Sequence, residues 1–270
     1  FKLDMRAKLI VFPIKGKHWC FCRSFGPSIE EDSANTSLSL KQLWGKIYTA
    51  RSSNREKVEY LVDFVSGKMN GYWATLEKAP QGSMKNKIHE IGSNMLSRLK
   101  PSEIFLKSIT KDVTHVEATY PLSLNARLVR RRLRHIALRG MDIHKKYFYG
   151  SAALLPLSSA LSILPLPNFA LFWVLFRCYS HWRALQGSEK LLKITSDPRT
   201  AILSAEEESE TEAVRNDGTE RSLLILRPSK KLQELVHLGS DGMSDSAITG
   251  ICEFYRLNAG DVLRFKKTGK

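Results

Sequence analysis

Thirty consecutive residues, Tyr147 to Phe176, contain no Asp, Glu, Lys, Arg or His. Lys145 and Lys146 precede the run, and Arg177 follows it. A chain must place such a stretch either in a protein core or in a bilayer, and a bilayer asks for about 20 apolar residues per helix. Thirty residues exceed one span and fall short of two. Pro156, Pro165 and Pro167 interrupt the run, and a proline biases its predecessor away from helix. Leu164 and Leu166 are both disfavoured in this way, while Asn168 is a good cap for a helix that begins FALFWVLF. The stretch therefore reads as a membrane helical hairpin with Pro165, Leu166, Pro167 and Asn168 at its apex. Basic flanks mark the side that is not translocated, and a hairpin keeps both flanks together. Arg177 would then snorkel to the interface. A single kinked span and a buried soluble hairpin are the alternatives.

The formal net charge is +15, which calls for a polyanionic partner. Much of the excess precedes the uncharged run. Arg127, Arg130, Arg131, Arg132, Arg134, Arg139, Lys145 and Lys146 accompany one acid, Asp142. Leu128, Val129, Leu133, Ile136 and Ala137 keep helical spacing among them, so this is a basic amphipathic helix. Its place beside an apolar segment favours anionic lipid over protein or RNA, because juxtamembrane Lys and Arg gain about 1 kcal/mol each near an anionic surface. Arg177, Trp182 and Arg183 extend the lipid or partner contact beyond the run.

Lys8–Ile14 and His18–Phe25 read as a short β-hairpin turning at Lys15-Gly16-Lys17, with Pro13 at an edge or strand end. Apolar residues at helical spacing predict helices through Leu40–Tyr48, Val58–Leu76 and Met84–Leu99. Asp112–Pro121 reads as a connector. Thr195–Glu220 carries AEEESETEA and reads as an acidic flexible linker. Ser229 is placed to cap a helix through Leu238, Ser246 to start another, and Leu257–Phe265 to add more helix. The expected fold class is mainly α, a membrane protein. A mostly helical N-terminal domain (5–121) with its β-hairpin leads to the basic helix (122–146). A membrane hairpin with an interfacial helix (147–193), the linker (194–221) and a small C-terminal helical module (222–270) follow.

Catalytic patterns are missing. The sequence has no Walker loop, dinucleotide fingerprint, His-Glu-x-x-His motif or nucleophile elbow. His18, His89, His115, His135, His144, His181 and His237 form no local pair at metal spacing. Cys20 and Cys22 share one strand face, and with Cys178 and Cys252 they read as reduced thiols. No enzyme activity, metal or cofactor is expected. The uncharged run has no ionisable residue with which to carry an ion. From Met5 to Ile29 there are five Lys or Arg and no acid, with no secretory pattern, which suits mitochondrial import.

The segments LIVFPI…WCFC, LKSI, RLVRRRLRHIALRGMDIHKKYFYG and LPLPNFALFWVLFRCYSHWRALQGSEKL together resemble the mitochondrial potassium–proton exchange-related family. The most specific parts are Pro165–Asn168 and Ser180–Gly187. The resemblance implies an inner-membrane protein connected with potassium–proton exchange, and the hairpin reading puts both soluble parts on one side, expected to be the matrix. The resemblance also implies a membrane partner of the leucine-zipper, EF-hand type, and brings no catalytic residues. The expected role is an accessory or regulatory component. A lipid- or protein-binding scaffold without an exchange role is the alternative, and a membrane-tethered RNA-binding protein is the weaker one.

Overall fold

The computed structural model describes residues 5–24, 75, 78–80, 82–97, 99–160, 169–202, 223–236, 238–239 and 242–268. The chain forms two compact units, Phe1–Phe25 with Lys100–Lys270, and Gly26–Leu99. In the smaller unit, helix α1 spans Met84–Ser97. It starts at Ser83, whose Oγ accepts from the Lys85 backbone N–H at 3.3 Å. The helices expected through Leu40–Tyr48 and Val58–Leu76 lie outside the described residues, apart from Thr75.

In the larger unit, β1 (Met5–Lys15) and β2 (His18–Arg23) are followed by α2 (Pro101–Ser108) and β3 (Val113–Pro121). Two long helices come next, α3 (Ala126–Ala160) and α4 (Phe169–Ser196), then β4 (Thr200–Ile202) and β5 (Leu224–Ser229). The chain continues through α5 (Lys230–Leu235), β6 (Leu238–Gly239), β7 (Gly242–Met243), α6 (Asp245–Tyr255) and α7 (Ala259–Thr268). Five strands make one sheet in the order β2-β1-β3-β5-β4. β1 and β2 pair antiparallel, and β1, β3, β5 and β4 run parallel.

Both faces of the sheet are covered. Ala7, Leu9 and Val11 point to a core shared with Phe105, Leu106, Val129, Leu133, Ala184 and Leu191 from α2, α3 and α4. Ile10, Phe12 and Ile14 point the other way, to Leu232, Ile248, Ile251 and Val262 from α5, α6 and α7. Side chains alternate across a strand, so a strand buried on both faces needs an unbroken apolar run, which LIVFPI supplies. Pro13 lies beyond Ile10, the last β1 residue paired with β3, so its missing N–H removes nothing from that ladder. Gly16 takes φ +51° in the turn, a left-handed conformation natural to glycine.

These observations correct the mainly α membrane fold. The β-hairpin is the edge of a mixed sheet rather than an isolated ornament. Asp112–Pro121 is not a connector: it carries β3, a central strand that buries Val116, Ala118 and Tyr120. The tail is not a purely helical module, since Leu224–Ser229 is a strand between β3 and β4. Ser229 caps α5 by accepting from the Leu232 N–H, and Ser244 rather than Ser246 caps α6. The segment expected as linker holds the end of α4 and β4, and residues 203–222 lie outside the described residues.

The membrane hairpin is also corrected. Among the described residues, no helix is long and apolar enough to cross a membrane. α3 runs unbroken through Lys145 and Lys146, and only its last fourteen residues, Tyr147–Ala160, belong to the uncharged run. At 1.5 Å per residue they reach about 21 Å, short of the ~30 Å hydrocarbon core. α4 contributes Phe169–Phe176 before Arg177. The Pro165–Asn168 apex lies outside the described residues. Contacts pair residue 144 with 181, 140 with 188 and 130 with 195, so α3 and α4 run antiparallel.

Glycines set how closely these helices approach α2. A Cβ on Gly187 would lie 1.9 Å from the Leu106 carbonyl oxygen, and one on Gly140 would lie 2.5 Å from Leu106 Cδ1. Backbone cannot yield as a flexible side chain can, so Gly187→Ala should separate α4 from α2. Overpacking of this kind costs about 1–3 kcal/mol. We expect Gly187→Ala to lower stability by about 2 kcal/mol or more in urea titration. Gly150→Ala, whose Cβ meets nothing within 4 Å, should be neutral or slightly stabilising.

Candidate functional site

The close approach at Gly187 brings three helices around a buried polar cluster. Glu103 lies in the first turn of α2, where unpaired backbone N–H groups favour an acid. Arg177, Ser180 and His181 lie at i, i+3 and i+4 of α4 and share one face. His144 and Tyr147 come from the facing side of α3. Glu103, His144, Ser180 and His181 are each no more than 5% exposed.

The cluster is closed by hydrogen bonds. Arg177 donates to Glu103 through Nη1 at 2.9 Å and Nη2 at 3.4 Å. Ser180 Oγ donates to Glu103 Oε1 at 2.6 Å. Arg177 Nη2 also donates to His181 Nε2 at 2.9 Å. Arg177 has no lone pair to offer, so Nε2 is the acceptor and the His181 proton sits on Nδ1. That proton is donated to His144 Nδ1, 3.1 Å away. Tyr147 stacks on His181 with centroids 5.3 Å apart and planes inclined by 22°.

Electrostatics follow from the same contacts. Burial pushes the Glu103 carboxyl up, but the Ser180 hydrogen bond and the Arg177 charge outweigh it and hold the group below the usual carboxylate range. Burial, then Arg177, pushes His181 down to about 4. Burial also lowers His144, and lowers the neighbouring Lys107. The resting state is thus an ionised Glu103–Arg177 pair beside two neutral imidazoles. The Glu103 carboxylate and one ring nitrogen from each histidine all lie within 4.8 Å of one another, a group able to hold a metal ion.

The residues expected to touch lipid or a partner divide into two sets. Arg127, Arg131, Arg134, Arg139, Lys145 and Lys146 are exposed along α3. Arg130 instead donates to the carbonyls of Thr195 and Asp197, both at 2.9 Å. Arg132 donates to the Lys17 carbonyl at 2.7 Å and lies over the Trp19 ring at 4.0 Å. Arg177 does not snorkel, because Glu103 holds it. Trp182 and Arg183 are partly exposed, and Lys111 lies 5.9 Å from the Trp182 ring centre. Cys20 and Cys22 are free, buried, and have their sulfurs 3.3 Å apart.

Sequence spacing missed the histidine pair because its members are 37 residues apart. The antiparallel pairing of α3 and α4 is what brings residues 144 and 181 to one level.

A profile of the family described as "Mitochondrial K+-H+ exchange-related" matches residues 8–195, which include the whole cluster. The chain belongs to this family. The family's description relates it to potassium–proton exchange in mitochondria. An uncharacterized protein of Schizosaccharomyces pombe (strain 972) is 26% identical over 143 residues, covering 50% of this chain and 62% of that relative. The chain thus spans less than two thirds of the relative's length. No solved structure matches the chain.

Acid should weaken the family member through this cluster. Below its ordinary pKa near 6.5, His181 takes up a proton in the unfolded chain but not in the folded one, whose value is about 4. Its contribution is therefore complete above pH 6.5 and lost as pH falls from there to about 4. The loss approaches 1.4 kcal/mol per pH unit, or on the order of 3 kcal/mol in all. Glu103, whose pKa is also depressed, adds loss in the same direction at still lower pH. Urea midpoints at pH 7.5 and pH 5 measure it: the wild type should fall, and His181→Gln should fall less.

Proposed function

We propose that this protein is an accessory or regulatory component of potassium–proton exchange, held at the matrix face of the mitochondrial inner membrane. The family membership connects it with the exchange. The observation that supports the membrane-surface role is the one-sided surface of α3. Arg127, Arg131 and Arg134 follow one face of the helix at four- and three-residue spacing, Lys145 returns to that face eleven residues on, about three turns later, and Arg139 and Lys146 lie beside it. The face continues into exposed Tyr149 and Leu157, near exposed Tyr147, Leu154 and Leu175. Cations beside exposed aromatic and leucine side chains match an anionic lipid surface, where charge and apolar contact add.

An accessory role fits the ionisable groups better than conduction by this chain alone. The cluster's histidines are neutral near pH 7, its one acid is paired with Arg177, and the described part of the uncharged run offers no charged relay. A membrane protein of the leucine-zipper, EF-hand type is the partner that the resemblance implies, and it would supply the ion path.

Mitochondria lacking the protein should swell more slowly in potassium acetate, and the wild-type chain should restore the rate. A variant with Arg131, Arg134, Lys145 and Lys146 changed to Glu should bind vesicles containing anionic lipid at least about tenfold more weakly, since four contacts of about 1 kcal/mol each are reversed. It should restore swelling poorly. The purified chain alone in liposomes should carry no potassium-coupled proton flux. Strong flux from that preparation would overturn the accessory role, and unchanged swelling without the protein would favour a scaffold unconnected with exchange.

A further inference from the structure

We propose that Glu103, His144 and His181 form a binding site for a divalent transition metal of zinc-like chemistry, with Arg177 as its displaceable internal occupant. Two histidines and a glutamate make a ligand set that zinc takes while keeping a fourth position open. The two Nδ1 atoms are 3.1 Å apart. Two nitrogens bound to one tetrahedral zinc at about 2.0–2.1 Å stand about 3.3 Å apart. The imidazoles are therefore already near the spacing of a ligand pair, and a Glu103 carboxylate oxygen lies within 4.8 Å of one ring nitrogen of each.

Supporting contacts resemble those that orient metal ligands. Ser180 Oγ holds Glu103 Oε1 at 2.6 Å, and Tyr147 stacks on His181. Such outer partners fix carboxylate and imidazole geometry around a metal. The ligands come from α2, α3 and α4, whose spacing is set by the glycine contacts with Leu106.

The guanidinium of Arg177 now supplies the positive charge between Glu103 and His181. Its side chain is 23% exposed while that of Glu103 is 5% exposed, so it stands between the cluster and solvent. Binding is an exchange of cations. Arg177 withdraws, and the His181 proton moves from Nδ1 to Nε2, which has lost its donor. The Nδ1 lone pair then turns to the metal. His144 already presents an Nδ1 lone pair, and Glu103 is already ionised. The site therefore releases no net proton when it loads. The nearby charge of Lys107 opposes the metal and limits the affinity.

Cobalt(II) added to the purified full chain tests the assignment. We expect one cobalt per chain, with visible d–d bands and no thiolate charge-transfer band, which separates this site from one at the cysteines. Arg177→Met should bind cobalt about tenfold or more tightly than the wild type. His144→Gln and His181→Gln should each weaken binding by about tenfold or more, a loss that even outer-shell changes produce. Since Arg177→Met leaves Glu103 without its partner, its thermal midpoint is read with and without cobalt, and cobalt should raise it. Three results would each overturn the proposal: no binding by either the wild type or Arg177→Met, undiminished binding by the His144→Gln/His181→Gln double variant, or a thiolate band.

Discussion

Glu103 must keep its charge in a place from which water is excluded. A buried carboxylate without partners is driven to protonate. Here Arg177 and Ser180 occupy its oxygens, and both come from the same face of α4. The pair in turn fixes the rotation of α4, because a helix turned by a quarter would carry Arg177 away from Glu103. It fixes the tautomers too, since one guanidinium bonded to both Glu103 and His181 leaves each imidazole a single way to share its protons. Breaking a buried pair by removing one member typically costs about 3–5 kcal/mol, mostly from the charge left behind. Glu103, Arg177 and Ser180 thus tie α2 to one face of α4 within the apolar core that the three helices share.

That pair can form only because α2 lies close to α4. Leu106 and Ile109 direct backbone oxygens at Gly187, and Gly140 leaves space for the Leu106 side chain. The segments LKSI and SHWRALQG, read separately in the sequence, are two sides of this one contact. Ser180 and His181 serve the cluster, Ala184 enters the core, and Gly187 admits α2. A single run of helix thus supplies the hydrogen bonds, the packing surface and the close approach, at successive turns.

Local signals made much of the scaffold legible. Apolar runs with an intervening Lys-Gly-Lys turn gave β1 and β2, and Ser229 marked a helix start correctly. β3 was harder because Thr114, His115, Glu117 and Thr119 alternate with its buried residues and make the segment read as polar. β5 was obscured by its length, since LILRPS is as consistent with the start of a helix as with a strand. Both strands are defined by partners distant in sequence, and no local pattern contains those partners. The cluster was illegible for the same reason. His144 and His181 acquire meaning from the antiparallel pairing of α3 and α4, and Glu103 from a third helix.

Arg177 shows where the sequence argument turned. A basic residue closing an uncharged run has two physical explanations, a lipid headgroup or a protein carboxylate, and both satisfy the same guanidinium. The sequence places Lys145, Lys146 and Arg177 symmetrically about the run, which favours the first explanation for all three. In the structure they separate: the lysines stay exposed on α3, whereas Arg177 turns inward to an acid 74 residues earlier. Absence of charge from Tyr147 to Phe176 therefore does not by itself define a span. Its described parts, Tyr147–Ala160 and Phe169–Phe176, are the ends of two packed helices beyond the last buried ion pair, and the lysines left outside that pair are the ones available to an anionic surface.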